Sequence, residues 1–248
     1  MKPVLCLAAG LCFLLGSFAH AQEAAPIAPV PDGAAQAGPV VVELFTSQGC
    51  PSCPPADAML AELAGREDVL PLALHVDYWD YLGWVDAFAR PHHTERQKAY
   101  ARMEGSSMIY TPQIVVDGQH VIAGARPMKL AERIMVERGR PVGMVVSAER
   151  TGHKLRLRAH VLRRPPEGGA LLVQLVRYAP LRRVEITGGE NAGHHIDYVN
   201  VVEEWETLER WDGQAPLDLS TDLPGEAAAA VLIQREGPGP IIAAARVR

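Results

Sequence analysis

Cysteine is scarce in this chain: the 248 residues contain four, and two of them, Cys6 and Cys12, lie within the first 21 positions. The other two are Cys50 and Cys53, so a scaffold held together by many disulfide bonds is excluded. Lysine is also rare, and the net charge of −5 provides no basic field for nucleic acid as the main partner. After the first 21 residues, no apolar run is long enough to cross a bilayer.

The N-terminus has the pattern of a secretory signal peptide. Lys2 is followed by an apolar run from Val4 to Phe18, and Ala19-His20-Ala21 then forms an A-x-A cleavage pattern. We expect residues 1–21 to be removed, which leaves an exported protein whose only cysteines form one C-x-x-C pair. Residues 22–39 are rich in Ala, Pro and Gly, and we predict a disordered lead-in there.

Strand and helix patterns alternate over residues 40–140. In the helix predicted over 78–104, Tyr81, Trp84, Val85 and Phe88 recur at the spacing of one apolar face. In chain order, the predicted elements are a buried strand, a helix, a second strand, the helix just described, an Asp-Gly hairpin and a last helix, over Val40–Phe45, Ala56–Ala64, Val69–Val76, 78–104, Ile114–Ala123 and Pro127–Arg138.

From Pro141 onward the hydrophobic period changes to two, as in half-exposed strands. Lys154–Val161 alternates polar and apolar residues, and Thr151-Gly152 and Pro165–Gly169 are typical of turns. We therefore predict an α/β domain over residues 40–140 and a smaller β-rich domain, a sheet or sandwich, over residues 141–248. Further strands are predicted over Ala170–Tyr178, Val184–Thr187, Ile196–Val202, Ala228–Gln234 and Ile241–Val247.

The segment Cys50-Pro51-Ser52-Cys53 is the main candidate for chemistry. Two thiols at this spacing can serve as a redox pair, as metal ligands or as a small structural clip. A helix that began at Cys50 would stabilise its thiolate through the helix dipole. Pro54 and Pro55 lack amide hydrogens, however, and favour a helix that begins after Cys53, which weakens that effect.

Together with Thr111-Pro112-Gln113, placed directly before the hairpin, this motif makes residues 40–140 resemble the thioredoxin superfamily. The chain resembles more closely an exported thioredoxin-like family catalogued as a domain of unknown function. The resemblance implies a thioredoxin-like domain followed by a β-rich C-terminal domain. It rests on Glu43–Cys50, Cys53–Asp57, His75–Asp80 and Tyr110–Gln113, and in the C-terminal part on Gly189–Asn191 and Asn200–Val202.

The resemblance implies a role for each matching residue. Cys50 would be the attacking thiol and Cys53 the resolving thiol. Pro112 would follow a cis peptide bond, with Thr111 in contact with the pair. Thioredoxins also keep a buried acid in the strand before the motif, which takes a proton from the second cysteine. Glu43 lies in that strand, one residue further from the motif than is usual.

Two glycine-containing segments give further expectations. Gly49 stands where thioredoxins often have a tryptophan, and we expect it to leave the approach to Cys50 more open. Glu190 and Asn191 lie within a glycine-rich stretch, residues 188–193. We expect a plain hairpin turn there, with docking toward the first domain as the alternative.

Histidine pairs raise the question of a metal. A cysteine pair with one distant histidine can hold copper, and exported copper-delivery proteins of thioredoxin-like fold exist, but these have three residues between their cysteines and this chain has two. Zinc requires four ligands, and neither His92-His93 nor His194-His195 supplies the missing two at a suitable spacing. We expect no metal and no organic cofactor, and we interpret His75 as a core histidine.

The sequence thus predicts an exported thiol–disulfide oxidoreductase that exchanges a Cys50–Cys53 disulfide with partner proteins, in a direction that the sequence leaves open. The expected partners are protein thiols and disulfides, with a membrane electron donor if the protein acts as a reductant. No nucleic acid and no membrane span in the mature chain are expected, and the resemblance places the protein in the bacterial periplasm. Two alternatives remain: a copper-binding or delivery protein that uses the same cysteines, and a redox-inert adaptor.

Overall fold

An eight-stranded sheet and a three-stranded sheet form the framework of the fold. The computed structural model describes residues 38–163, 169–237 and 239–248. The predicted signal peptide over residues 1–21, most of the predicted lead-in and most of the predicted turn at 165–169 lie outside these residues. Within the described part, no helix has the length and apolar character needed to cross a membrane.

The described residues form eleven strands and three α-helices, and a short 3-10 helix, Asp80–Leu82, follows the second strand. The Asp-Gly hairpin and the helix Pro127–Arg138 are confirmed. In chain order the elements are β1 (Val40–Thr46), α1 (Pro54–Leu63), β2 (Val69–His75), α2 (Pro91–Met103), β3 (Gln113–Val116), β4 (His120–Ala123), α3 (Pro127–Arg138), β5 (Met144–Thr151), β6 (Lys154–Val161), β7 (Leu171–Glu185), β8 (His195–Trp211), β9 (Leu217–Asp222), β10 (Ala228–Arg235) and β11 (Ile241–Arg246).

The large sheet combines strands from both halves of the chain. Its order is β11-β10-β7-β8-β2-β1-β3-β4, in which β2 runs parallel to β1 and to β8 and the other neighbours are antiparallel. The small sheet has the order β5-β6-β9. A mixed α/β fold is thus confirmed. A division into two domains near residue 140 stays a prediction, and β7, β8, β10 and β11 extend the sheet that contains β1.

The segment between β2 and α2 differs from the predicted helix over 78–104. Helix α2 begins only at Pro91, and the chain before it is irregular apart from the 3-10 helix. The proline is the reason, because the residue before a proline is disfavoured in the helical region, and Arg90 is extended with φ −136° and ψ 132°. Tyr81 and Val85, which the periodicity placed on an apolar face, are exposed.

Strand β1 is buried along its whole length, as is β2. On one face of β1, Leu44 lies in a hydrophobic cluster with Leu60 of α1. On the opposite face, Phe45 lies in a second cluster with Tyr100 of α2. The two halves of the chain therefore share this second cluster, which also contains Val176, Val202 and Leu232 from β7, β8 and β10.

The turn between β3 and β4 contacts the segment before β11. Asp117 and Gly118 both have positive φ, 46° and 66°, as the hairpin requires. The amide of Ile241 donates to Asp117 O at 2.9 Å. A Cβ added at Gly118 would lie 2.6 Å from Gly239 O. Glycine at position 118 thus allows both the turn and this close approach of two backbones.

Replacing Gly118 by alanine is expected to lower the free energy of unfolding by roughly 3 kcal/mol, from left-handed backbone strain together with the clash at Gly239 O. Gly152→Ala is the matched control, since Gly152 also has a positive φ, 60°, but no atom lies within 4 Å of an added Cβ. The control is expected to cost about 1 kcal/mol. Urea unfolding measures both values, and equal losses would contradict the packing argument.

Candidate functional site

The turn that follows β1 contains the two cysteines. Cys50 and Cys53 form a disulfide bond, with their Cα atoms 5.4 Å apart. Both cysteines are 0% exposed, whereas Pro51 and Ser52 between them are exposed. The disulfide therefore lies just beneath the surface, under the two residues that separate its cysteines.

Helix α1 begins immediately after the disulfide. Cys53 is its N-cap residue, and Cys53 O accepts hydrogen bonds from the amides of Ala56 and Asp57 at 2.8 and 3.1 Å. The first two helical residues, Pro54 and Pro55, have no amide hydrogen to present to a thiolate. The later helix start that these prolines favour is confirmed, and the helix dipole acts closer to Cys53 than to Cys50.

Ser52 connects the disulfide to the segment before β3. Its hydroxyl oxygen lies 3.5 Å from Cys50 Sγ and 3.4 Å from Thr111 O, to which it donates. The peptide bond between Thr111 and Pro112 is cis, as predicted. The structure thus brings four of the predicted site residues, the two cysteines and the Thr111-Pro112 pair, to one place.

The expectation of an open approach at Gly49 is wrong, because Trp79 lies against this glycine. A Cβ added at Gly49 would be 3.2 Å from Trp79 Cβ. The indole Nε1 of Trp79 donates to Thr111 Oγ1 at 2.8 Å, which fixes the ring against the residue before the cis peptide bond. Trp79, from the loop after β2, thus contacts Gly49, the position at which thioredoxins often have a tryptophan.

Glu43 lies on the face of β1 that is opposite to α1. Its carboxylate accepts hydrogen bonds from Arg96 Nε at 2.5 Å and from the Tyr100 hydroxyl at 2.6 Å. The guanidinium of Arg96 also lies 3.9 Å from the ring centroid of Trp205. Because side chains alternate along a strand, Leu44 faces α1 and Glu43 faces α2. The one-residue offset in the sequence therefore places Glu43 away from the cysteines, in a buried ion pair.

Asp57 is a buried acid that the sequence analysis does not identify as a site residue. It follows Cys53 by four residues, so the two side chains project from one face of the helix. Neither carboxylate oxygen has a hydrogen-bond partner within the described part of the chain. Burial raises the pKa of Asp57 to about 7, against smaller opposing effects of His75 and Thr46. Asp57 ends the Cys53–Asp57 motif of the resemblance, but the motif assigns it no role, and acids are common in the first turn of helices.

A second acid supports the backbone of the cysteine turn. Asp86 Oδ2 accepts hydrogen bonds from the Gln48 amide at 2.8 Å and from His75 Nδ1 at 2.7 Å. Burial alone would raise the pKa of Asp86, but the contacts with His75 and with the amides of Gln48 and Phe88 outweigh it and hold the pKa below its usual value. His75 is fully buried, as expected of a core histidine.

The glycine-rich loop closes the antiparallel hairpin of β7 and β8, as expected, and it also contacts the cysteine turn, which the docking alternative anticipates. Asn191 is buried, and its Nδ2 donates to Gln48 O and to Cys50 O, both at 2.9 Å. The resemblance singled out Asn191 as part of a motif, but only the folded chain shows what it contacts.

The histidine pairs have separate surroundings. His93 is buried and donates from Nδ1 to His75 O at 2.9 Å, and burial lowers its pKa to about 3. His194 Nδ1 donates to Asn191 O at 2.9 Å, while His195 is exposed near Glu185. Among the residues that the structure describes, no group of three or more His, Cys, Asp or Glu side chains is arranged to hold a metal ion.

Comparison with known proteins gives one family model and two similar solved structures. The family model described as "Protein of unknown function (DUF1223)" matches residues 41–234. The crystal structure of protein AGR_C_4864 from Agrobacterium tumefaciens is 32% identical, with a TM-score of 0.72 over 85% of this chain and 94% of that chain. HBP35 of Porphyromonas gingivalis, 14% identical, shares the fold with a TM-score of 0.64 over 85% of this chain and 74% of that chain. No curated protein matches the chain.

Arg96→Met is expected to lower the free energy of unfolding by about 3–5 kcal/mol, because it leaves the Glu43 carboxylate buried without its cation. The matched control is Arg156→Met, which removes a solvent-exposed ion pair with Asp218 and is expected to cost far less stability than Arg96→Met. Urea unfolding of both variants tests the difference. A loss for Arg96→Met no larger than that of the control would show that Glu43 does not depend on Arg96.

Asp57→Asn is expected to reduce the pH dependence of stability. The folded-state pKa of Asp57, about 7, lies above the value of about 4 for an unfolded aspartate, so the native state loses stability as pH rises through this window. At about 1.4 kcal/mol per pKa unit, Asp57 contributes a few kcal/mol to the free energy of unfolding at low pH, and this contribution is lost as the pH rises. Urea unfolding of the oxidised protein at about pH 5 and about pH 8 measures the change.

In the Asp57→Asn variant the free energy of unfolding should still fall as pH rises, but less steeply, because burial also raises the pKa of Asp117 to about 7. Asp117→Asn is the matched control, and the two substitutions together should remove more of the slope than either alone. A slope in Asp57→Asn equal to that of the wild type would show that Asp57 does not titrate in this range.

Proposed function

Because the chain belongs to DUF1223, a family of proteins of unknown function, its activity must be argued from the site, and we propose an exported thiol–disulfide oxidoreductase that exchanges the Cys50–Cys53 disulfide with partner proteins. One observation carries the proposal. The disulfide closes the turn between a buried strand and a helix, and the Ser52 hydroxyl connects Cys50 Sγ to the cis Thr111-Pro112 segment.

A thioredoxin-like fold for residues 40–140 is part of the proposal. Strands β1 and β2 are parallel and are joined through α1, with the C-x-x-C motif at the first turn of this unit. A C-x-x-C motif in such a βαβ unit is typical of thioredoxin-like redox proteins. The hairpin β3–β4 and helix α3 follow, which gives the strand order β2-β1-β3-β4. Residues 141–248 are then a β-rich C-terminal part that continues the sheet.

The proposed exchange begins with the reduced protein. The Cys50 thiolate attacks a partner disulfide, forms a mixed disulfide at Cys50 and releases the other partner sulfur as a thiolate. Cys53 loses its proton and attacks Cys50 Sγ, which forms the Cys50–Cys53 disulfide and releases the second partner sulfur, which takes up a proton. Two electrons pass from the cysteine pair to the partner. The reverse sequence oxidises a partner dithiol.

The surroundings of the disulfide support Cys50 as the attacking residue. The exposed Ser52 hydroxyl lies 3.5 Å from Cys50 Sγ, and by turning its one hydrogen from Thr111 O it can donate a hydrogen bond to a thiolate at Cys50. A partner chain would approach from the side of Pro51 and Ser52, which are exposed, and would meet the Thr111-Pro112 backbone next to them. Because Cys50 is 0% exposed, exchange also requires a local displacement of this covering segment.

Asp57 is better placed than Glu43 to receive the proton of Cys53. Glu43 is occupied by Arg96 and Tyr100 on the far face of β1. Asp57 lies one helical turn from Cys53, and both of its carboxylate oxygens lack a hydrogen-bond partner within the described residues. A buried carboxyl with a pKa of about 7 can take up a proton and return it near neutral pH. We therefore assign this role to Asp57.

The setting of the exchange follows from the N-terminal pattern. The signal-peptide pattern of residues 1–21 supports an exported protein, and the resemblance to an exported family supports the bacterial periplasm. An oxidising compartment keeps the disulfide formed unless a donor reduces it. The proposed partners are protein thiols and disulfides, with a membrane electron donor if the protein acts as a reductant.

Complete burial of both cysteines favours a second candidate function, a redox-inert adaptor in which the Cys50–Cys53 disulfide is only a clip. In this alternative the disulfide closes the turn before α1 and exchanges with no partner. The two functions differ in whether a partner thiol reaches Cys50.

The Cys53→Ala variant, produced in the periplasm of a Gram-negative host, is expected to accumulate mixed disulfides with host proteins, because the resolving thiol is absent. Non-reducing gels show them as bands of higher mass that disappear on addition of reductant. Cys50→Ala retains Cys53 but should form none of these adducts, which makes it the matched control. The absence of adducts in both variants would contradict the exchange and support the clip.

A further inference from the structure

The loop between β7 and β8 belongs to the C-terminal half but contacts the turn that contains Cys50. Its Asn191 is 4% exposed, although asparagine is usually a surface residue. Asn191 Nδ2 donates to Gln48 O and to Cys50 O, at 2.9 Å each. The two hydrogens of one amide group are thus both used on the carbonyls that lie on either side of Gly49.

The position of Asn191 is itself well determined. The backbone amide and Nδ1 of His194 both donate to Asn191 O, at 3.2 and 2.9 Å. Gly189 packs so closely that an added Cβ would lie 3.0 Å from Trp84 Cβ. Trp84 in turn donates from Nε1 to Gln48 Oε1 at 2.7 Å. Asn191 of the loop therefore holds the main chain of Gln48, and Trp84, against which the loop packs, holds the Gln48 side chain.

These contacts matter most when the disulfide is open. Reduction breaks the bond between the two cysteine side chains, and the closed geometry of the Cys50–Cys53 turn then depends on hydrogen bonds. Cys50 O accepts from the amide of Cys53 at 3.2 Å and from Asn191. With both bonds in place, the reduced turn has little freedom to lose when the disulfide forms again, which raises the effective concentration of one thiol near the other.

We propose that Asn191 is a positioning residue for the cysteine pair, which keeps the reduced turn closed and thereby favours the disulfide over the dithiol. The C-terminal half would then supply part of the redox site and would not be a separate module. The inference rests on the proposed function, since it gives Asn191 its part in the exchange at Cys50.

The test is the thiol–disulfide equilibrium of the exported protein, without residues 1–21 and so without Cys6 and Cys12, in glutathione buffers. Dithiothreitol replaces glutathione if glutathione does not reduce the disulfide. In the glutathione reaction, the protein dithiol and oxidised glutathione give the protein disulfide and two reduced glutathione molecules. Asn191→Ala is expected to lower this equilibrium constant by about tenfold, which corresponds to an increase of about 30 mV in reduction potential.

Asn200→Ala is the matched control. Asn200 is also a buried asparagine, and its Nδ2 donates to a backbone carbonyl, Pro71 O, at 2.8 Å. Both variants are expected to lose stability in urea, but Asn200→Ala should keep the wild-type equilibrium constant within about twofold. Equal constants for the two variants, or a wild-type constant in Asn191→Ala, would show that Asn191 is merely structural and would overturn the proposal.

A measurement on the unmodified protein covers the case in which Asn191→Ala fails to fold. Nitrogen-15 NMR is expected to show the side-chain amide protons of Asn191 protected from exchange with water in both the oxidised and the reduced protein. Loss of protection on reduction would overturn the proposal. The proposed function is tested separately, because an absence of partner adducts in Cys53→Ala would contradict exchange with partner proteins. The equilibrium constants of the wild type and Asn191→Ala would still show whether Asn191 favours the disulfide.

Discussion

Strand β1 lies between β2 and β3 and is covered on both faces, so each of its seven residues is buried. This constraint decides what the strand can contain. Its one charged residue, Glu43, has no access to water and is accompanied by Arg96 and Tyr100 from α2, with Gln234 from β10 also bonded to the arginine. The cysteine turn begins where the chain leaves the carboxyl-terminal end of this buried strand, after Thr46.

Two acids behind that turn differ because their partners differ. Asp86 accepts hydrogen bonds from the Gln48 amide and from His75, so its pKa is held low despite burial. Asp57 is as deeply placed, but the opposing effects of His75 and Thr46 on its pKa are smaller than the effect of burial, and the pKa rises to about 7. The first acid is suited to holding backbone in place as a fixed anion. The second can exchange a proton near neutral pH, which is the property that the proposed thiol–disulfide exchange requires of an acid near Cys53.

The C-terminal half is integrated with the cysteine turn at two levels. Its strand β8 pairs in parallel with β2, and Asn200 from β8 donates to Pro71 O, the carbonyl of a residue in β2 that has no amide hydrogen of its own. Further along, the loop before β8 places Asn191 against Cys50 O. A single continuous sheet therefore sets the distance between a loop near residue 190 and a turn near residue 50, which a flexible linker between two domains would not do.

Local patterns in the sequence determined a large part of this protein. The Asp117-Gly118 hairpin, the helix Pro127–Arg138, the start of α1 after Cys53 and the cis bond at Pro112 were all predicted, because each depends on backbone preferences of a few neighbouring residues or on a motif. Period-two alternation indicated the strands after residue 140, but it contains no information about which sheet they join. The same limit applies to the predicted helix over 78–104, where an apolar spacing was overruled by Pro91.

Only the tertiary structure decided which side chains share the site. A shift of one residue in a strand reverses the face, so the sequence placed Glu43 near the cysteines while the fold turns it toward Arg96. Asp57, Trp79 and Asn191 reach the turn from a helix, a loop and the far half of the chain, and their contacts depend on packing between segments distant in sequence. The sequence by itself determined the chemistry available at the C-x-x-C motif. The fold determined the burial, the neighbouring acid and the hydrogen bonds that act on it, because these arise from contacts that no local pattern encodes.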